Sequence, residues 1–182
     1  MNIATISDIK RKEYYMENNN QTMVYIILDC SSSMIGEPIE SVRQAIKAMI
    51  AEWKEEEADI IISVLVYQTV ARELLRDVDL KEFVLPHFIM GGLSCLSKAF
   101  SLLSDIIEKR KEKNKKTIVF LFTDGKITDI DKNIIRNHDI LKKVNCVLCE
   151  AGAETNTYDL KTVIKHTISL NTLTYGEFKL YL

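Results

Sequence analysis

Asp29, Ser31 and Ser33 stand at positions i, i+2 and i+4, directly after the apolar run Met23-Val24-Tyr25-Ile26-Ile27-Leu28. One carboxylate and two hydroxyls are hard oxygen donors, which suit Mg²⁺ or Mn²⁺ better than zinc. Where the backbone stays near-extended, every second side chain points the same way, so the three can face one point. An apolar run that ends in a turn cluster reads as a central parallel strand. The carboxyl end of such a strand is where open α/β sheets hold their ligands. Asp and Ser are ordinary loop residues, and D-x-S-x-S alone is a weak pattern. Two further segments strengthen it. Gly91-Gly92-Leu93-Ser94-Cys95-Leu96-Ser97-Lys98-Ala99-Phe100 is a glycine loop that leads into an amphipathic helix. Thr117-Ile118-Val119-Phe120-Leu121-Phe122-Thr123-Asp124-Gly125 is a second buried strand that ends on an acid.

Three loops in this order resemble the metal-ion-dependent adhesion site of von Willebrand factor type A (vWA) domains. The resemblance covers residues 23 to about 180. The family's first loop, D-x-S-x-S, is matched by Asp29, Ser31 and Ser33, and the Asp of its T-D-G turn by Asp124. Ser94 stands where the family's second loop carries Thr after a Gly pair, so the hydroxyl is kept and a methyl is lost. Ser32 replaces the Gly common between the two serines, which restricts the turn. More narrowly, Met34-Ile35-Gly36-Glu37-Pro38-Ile39-Glu40 resembles the bacterial tellurium-resistance-associated (TerY-type) vWA proteins.

The resemblance implies a divalent ion held by Asp29, Ser31, Ser33, Ser94 and Asp124, with Mg²⁺ or Mn²⁺ favoured over Ca²⁺. Hydroxyls are neutral, so at most two carboxylates offset the ion's charge. Mg²⁺ takes about six oxygens, which leaves at least one position open. In vWA domains an Asp or Glu of a protein partner commonly fills it. The implied function is metal-dependent protein binding, in a bacterial stress-response or tellurium-resistance-type complex, without catalysis.

Two other readings compete. Haloacid-dehalogenase-type phosphatases also present an Asp to Mg²⁺ at the end of their first strand, but as D-x-D. Here the second acid is replaced by Ser31. A serine nucleophile would need a base, and His87, His138 and His166 are the only histidines; each reads more simply as a surface or satisfied residue. The other competitor is a vWA scaffold with a vestigial metal site.

The elements that must position these loops follow from periodicity. Glu37 to Trp53 reads as a helix, with Pro38 in the first turn and Ile39, Val42, Ile46, Met49, Ile50 and Trp53 on one face. Asp59 to Tyr67 reads as a strand rich in β-branched residues. Gln68-Thr69 is a hairpin turn, and Val70 to Leu75 returns antiparallel as an edge strand with charged residues suited to an edge. Leu80 to Met90 is irregular. Ser94 is placed to cap a helix whose inner face is Leu96, Ala99, Leu102, Leu103, Ile106 and Ile107. Further elements are a helix at Asp129 to Lys143 (Ile130, Ile134, Ile135, Ile140 and Leu141 inward) and a strand at Val144 to Ala151. A short helix at Tyr158 to Lys165, a short strand at Thr167 to Leu170 and a closing helix at Tyr175 to Leu182 complete the chain. Strands alternating with helices predict a doubly wound, mostly parallel Rossmann-like α/β sheet with one antiparallel edge strand and helices on both faces.

Composition sets the limits. The 182 residues are enough for one domain, expected at 23–182 behind a polar lead-in at 1–22. A net charge of −2 gives no general reason to expect nucleic acid or an anionic membrane as partner. The basic run Lys109 to Lys116 reads as a helix end and solvated loop. No apolar stretch reaches the length of a membrane span, and Met1 to Thr22 lacks the apolar core of a secretion signal. The location expected is cytoplasmic. Of the four cysteines, Cys146 and Cys149 fall three apart on a strand, hence on opposite faces. Cys30 and Cys95 each adjoin a proposed ligand and read as small packing residues. The sharper alternative is an oxidation-sensitive Cys30–Cys95 pair.

Overall fold

The computed structural model describes residues 21–110, 116–129 and 139–182. Six strands form one sheet: β1 (Thr22–Asp29), β2 (Ile60–Tyr67), β3 (Ala71–Asp79), β4 (Thr117–Thr123), β5 (Asn145–Glu150) and β6 (His166–Ser169), in the order β3-β2-β1-β4-β5-β6. All neighbours are parallel except β2 and β3. This is the Rossmann-like sheet the sequence predicts, with β3 as its antiparallel edge. From β1 the chain first builds outward to β2 and β3, then crosses to β4 on the other side. The strand order reverses between β1 and β4, so the loops leaving them part and leave room at their carboxyl ends.

Every residue of β1 and β2 is buried, as expected for strands covered on both faces. Alternation sends Val24, Ile26 and Leu28 to one face and Tyr25 and Ile27 to the other. The first face is covered by α1 (Glu37–Glu55), whose predicted stripe from Ile39 to Trp53 is buried. The second is covered by α2 (Leu96–Lys109), which buries Leu96, Ala99, Phe100, Leu103 and Ile106. Leu102 and Ile107 are only half-buried at its flanks. Trp53 meets Phe120 with ring centroids 5.6 Å apart, and Phe120 meets Phe178 at 5.8 Å, so the first core joins α1, the sheet and the end of the chain.

Several elements differ from expectation. β3 runs on to Asp79 rather than stopping at Leu75, because two irregularities in its pairing with β2 absorb extra residues. Asp77 takes a positive φ of 53° there, and its backbone N–H donates to Ser63 Oγ at 3.1 Å. Asp129 is not helical; its carboxylate instead accepts from Ser97 N (3.0 Å) and Ser97 Oγ, at the start of α2. The described part of the helix expected there is the four-residue α3 (Ile140–Lys143), with Ile140 buried. Ile130, Ile134, Ile135 and His138 lie outside the described residues, as do 1–20 of the lead-in and 111–115 of the basic run. The helix after β5 is a single turn, α4 (Tyr158–Lys161). A short 3₁₀ turn at Leu170–Thr172 follows β6, and the closing helix expected at Tyr175 to Leu182 is replaced by a turn and a short 3₁₀ segment at Phe178–Tyr181. Gly176, at φ 89°, interrupts the helical path. Cys146 and Cys149 point into opposite cores, as strand alternation requires.

Candidate metal centre

The Asp29 carboxylate is fully buried and collects four hydrogen bonds. Its Oδ1 accepts from Ser31 N at 2.9 Å. Its Oδ2 accepts from Tyr67 Oη at 3.0 Å, Ser94 Oγ at 2.8 Å and Thr123 Oγ1 at 2.8 Å. The donors come from the loop after β1, the end of β2, the glycine loop and the end of β4. Burial, then the charge of Asp29, raises the Tyr67 phenol well above its ordinary range, so it keeps the proton it donates.

Ser31 and Ser33 share a 3.1 Å contact between their hydroxyl oxygens. They meet because Ser32–Met34 is a 3₁₀ turn, not because the chain stays extended through the loop, as strand alternation had suggested. Ser32 is exposed within that turn, and its φ is not positive, so the missing Gly causes no backbone strain. The loops are tied to each other by backbone bonds. Ser32 N donates to Gly92 O (3.1 Å), Gly91 N to Cys30 O (2.8 Å) and Thr128 N to Ser94 O (2.9 Å).

Asp124 follows Thr123 and is 1% exposed. Its Oδ1 accepts from Lys126 N at 3.0 Å. Its Oδ2 is buried and, among the described residues, has no hydrogen-bond partner; the Lys126 ammonium lies 3.7 Å away. Gly125 turns the chain at φ 76°, with its N–H on Thr123 Oγ1 (2.9 Å), and Asp124 O accepts from Asn156 N at 2.7 Å.

The structure thus joins Asp29, Ser31, Ser33 and Ser94 by direct contacts, and links Asp124 to them through Thr123. Ser94 does not cap α2; Cys95 stands at the cap position and Ser94 turns its hydroxyl to Asp29. Sequence reasoning missed Tyr67 and Thr123 as partners of Asp29. Thr123 was visible in the T-D-G turn. Tyr67 sits opposite Asp29 in the β1–β2 register, which a pattern read along one strand does not supply.

This donor set fits a hard divalent cation. A hydroxyl that gives its proton to Asp29 still has lone pairs to offer a cation. The unbonded Oδ2 of Asp124 is a buried acceptor of the kind a cation satisfies. Two buried carboxylates carry more negative charge than one loosely placed lysine offsets. Among the described residues no three His, Cys, Asp or Glu side chains come together as a metal group, so hydroxyls would have to complete the shell. Ser31, Ser33, Ser94 and Asp124 would hold the ion, which would supply a Lewis-acidic contact for a carboxylate. Asp29 would orient the hydroxyls and add charge. The exposed His87 and His166 make no hydrogen bond with these residues among those described; His166 packs edge-on against Tyr181, with centroids 5.6 Å apart.

The four thiols are free. Burial, with the Asp29 charge second, pushes Cys30 up to about 12, and burial pushes Cys146 up to about 12 and Cys149 well above its ordinary value. Cys95 is half-buried. Reaction with alkylating agents needs an accessible thiolate. Iodoacetamide on the native protein should therefore modify Cys95 well before the other three, as read by peptide mass mapping. Equal labelling of Cys30 would show that the first loop opens.

The order of the strands and the reversal between β1 and β4 define a Rossmann-like α/β domain. Residues 24–126 match the family model described as von Willebrand factor type A domain, and the chain belongs to that family. Domains of this family are typically adhesion or protein-binding modules and are usually non-catalytic. A search of the curated proteins found no match. Among solved structures, the manganese-loaded TRAP protein of Plasmodium vivax is similar at 17% identity and a TM-score of 0.65, over 83% of this chain and 68% of that one. The ArnB paralog VWA2 of Sulfolobus acidocaldarius is similar at 21% and 0.60, over 82% of this chain but only 41% of its own. The SpRpn10 VWA domain is similar at 11% and 0.59, over 88% of this chain and 94% of that domain. At these identities the likeness is one of fold.

Proposed function

We propose that this chain is a protein-binding vWA module in which Mg²⁺ or Mn²⁺, held by Ser31, Ser33, Ser94 and Asp124 with Asp29 behind them, takes an Asp or Glu of a partner protein as its last ligand. The observation that carries the reading is the buried Oδ2 of Asp124, without a hydrogen-bond partner among the described residues, next in the chain to Thr123, whose hydroxyl joins the Asp29 cluster. The surroundings support a protein ligand. Ile35, Val70, Ile89 and Leu93 are each more than half exposed. They sit on loops tied to one another by Ser32 N to Gly92 O, Gln68 Nε2 to Ile89 O (2.6 Å) and Leu93 N to Thr69 Oγ1 (3.2 Å). Exposed apolar side chains gathered at a polar site suit a macromolecular partner.

The reading is non-enzymatic. Asp29 is sealed from solvent with both oxygens engaged, which leaves it unsuited to attack as a phosphatase nucleophile. On this reading residues 23–182 form one domain behind the 1–22 lead-in, and neither nucleic acid nor membrane is a partner. Among the described residues no helix is long and apolar enough to cross a membrane. The TerY-type likeness of Met34 to Glu40 adds a cytoplasmic bacterial stress or tellurium-resistance complex as the setting.

Calorimetry with Mg²⁺ and Mn²⁺ tests the centre. The wild-type chain should bind one ion, and Asp124→Asn should bind about 100-fold more weakly or worse, since loss of even an outer partner costs 10–100-fold. Asn keeps the size of the side chain and an acceptor for Lys126 N, so its melting temperature should change little. Undiminished binding by Asp124→Asn would sink the assignment. A partner whose affinity ignores EDTA would leave the domain a scaffold with a vestigial site.

A further inference from the structure

We propose that the Lys126 side chain is a tethered stand-in for the cation, which holds the charge of Asp124 while the centre is empty and must swing away when an ion enters. The inference rests on the metal-binding reading above and concerns how that site is regulated. Asp124 is 1% exposed, and a buried carboxylate needs a counter-charge. Asp29 meets that need with four hydrogen bonds. Among the described residues the Asp124 carboxylate has one, to Oδ1, from the backbone of Lys126. The ammonium of the same residue lies 3.7 Å from the otherwise unbonded Oδ2. That distance is within ion-pair range but too long for a hydrogen bond, so the lysine neutralises the oxygen without saturating it.

The lysine is also built to leave. Its side chain is 45% exposed, on a flexible four-carbon stem that can carry the ammonium into water. Its backbone N–H stays on Oδ1 whichever way the side chain points. The oxygen that the ammonium faces is the one the ion would take. Ion and ammonium therefore compete for one atom, and the apparent affinity for the ion is its intrinsic affinity reduced by that competition. A doubly charged ion that also gains the hydroxyls of Ser31, Ser33 and Ser94 displaces the lysine, whereas a lone positive charge has less to offer.

The test compares Mg²⁺ and Mn²⁺ affinity by calorimetry in the wild-type chain, Lys126→Met, Lys126→Arg and Lys47→Met. Lys47 is exposed midway along α1, so its loss changes net charge alone. Lys126→Met should bind the ion about fivefold more tightly, the scale of a partly exposed ion pair. Lys126→Arg keeps a cation and should stay near wild type, as should Lys47→Met. In the wild-type chain, the NMR signal of the Lys126 side-chain terminus should shift on addition of Mg²⁺, with the same half-saturation as calorimetry. Equal affinity in the wild-type chain and Lys126→Met, or a Lys126 signal that ignores Mg²⁺, would overturn the inference and leave the centre standing. Absence of binding in all four chains would overturn the centre and this inference with it.

Discussion

Replacing Asp29 with alanine should lower the stability of the metal-free protein by about 3–5 kcal/mol, a loss in the range reserved for a broken buried network. The change removes both acceptor oxygens of the carboxylate and strands four donors: Ser31 N, Tyr67 Oη, Ser94 Oγ and Thr123 Oγ1. Each buried donor without a partner costs about 1–3 kcal/mol, and partial relaxation keeps the total below the sum. For a chain of this size the melting temperature should fall by about 10 °C. Asp29→Asn keeps an acceptor oxygen and should lose less. If Asp29→Ala in EDTA melts within about 2 °C of wild type, the carboxylate does not hold the strand ends together. Alanine at Asp29 would weaken ion binding by loosening the fold as well as by removing charge, so Asp124 is the cleaner position for testing the metal.

Gly125→Ala should be nearly as damaging, at about 2–4 kcal/mol, through a backbone clash added to conformational strain. A Cβ at Gly125 would stand 2.5 Å from Asn156 O and 2.7 Å from Thr157 Cγ2, and the residue's φ of +76° is strained for any L side chain. Backbone cannot move aside as a flexible side chain can. The segment carrying Asn156 would be pushed off, and its bond to Asp124 O would stretch. Chemical denaturation measures the loss. The same variant should bind Mg²⁺ more weakly, because Asp124 is held by the turn that Gly125 makes. Gly176→Ala is the control: its φ is also positive, but among the described residues nothing lies within 4 Å of its added Cβ, so it should cost only the conformational part. Equal stability of the two variants would show that the 151–157 segment yields easily.

The sheet was legible because β1, β2 and β4 are apolar runs that end in turn residues, and such runs are buried on both faces. The stripe from Ile39 to Trp53 likewise fixed the buried side of α1. Asp29 and Asp124 were legible as strand-terminal acids. What local pattern does not carry is register. Tyr67 and Asp29 are 38 positions apart and meet only because β1 and β2 pair as they do. Ser94 was misread as a helix cap for a related reason. A serine before a helix has a local use, and only the fold shows that a distant carboxylate claims its hydroxyl. Asp129 is the converse, an acid that reads as the start of its own helix but serves the start of α2. The end of the chain failed as a helix because spacing of apolar residues does not distinguish a helix from successive tight turns, and Gly176 favours the turns.

The irregular outer strand has one more consequence. A sheet edge exposes unpaired amides and carbonyls, and a flat edge can recruit a strand from another molecule. β3 is ill-suited to that. Arg72, Arg76 and Asp77 are exposed along it, Arg76 pairs with Glu73, and Asp77 twists out of line to bond Ser63 and Arg110. An incoming strand would meet charges of both signs and a backbone that does not lie flat. The features that make β3 hard to read from the sequence therefore also make this edge of the sheet a poor template for a strand from another molecule.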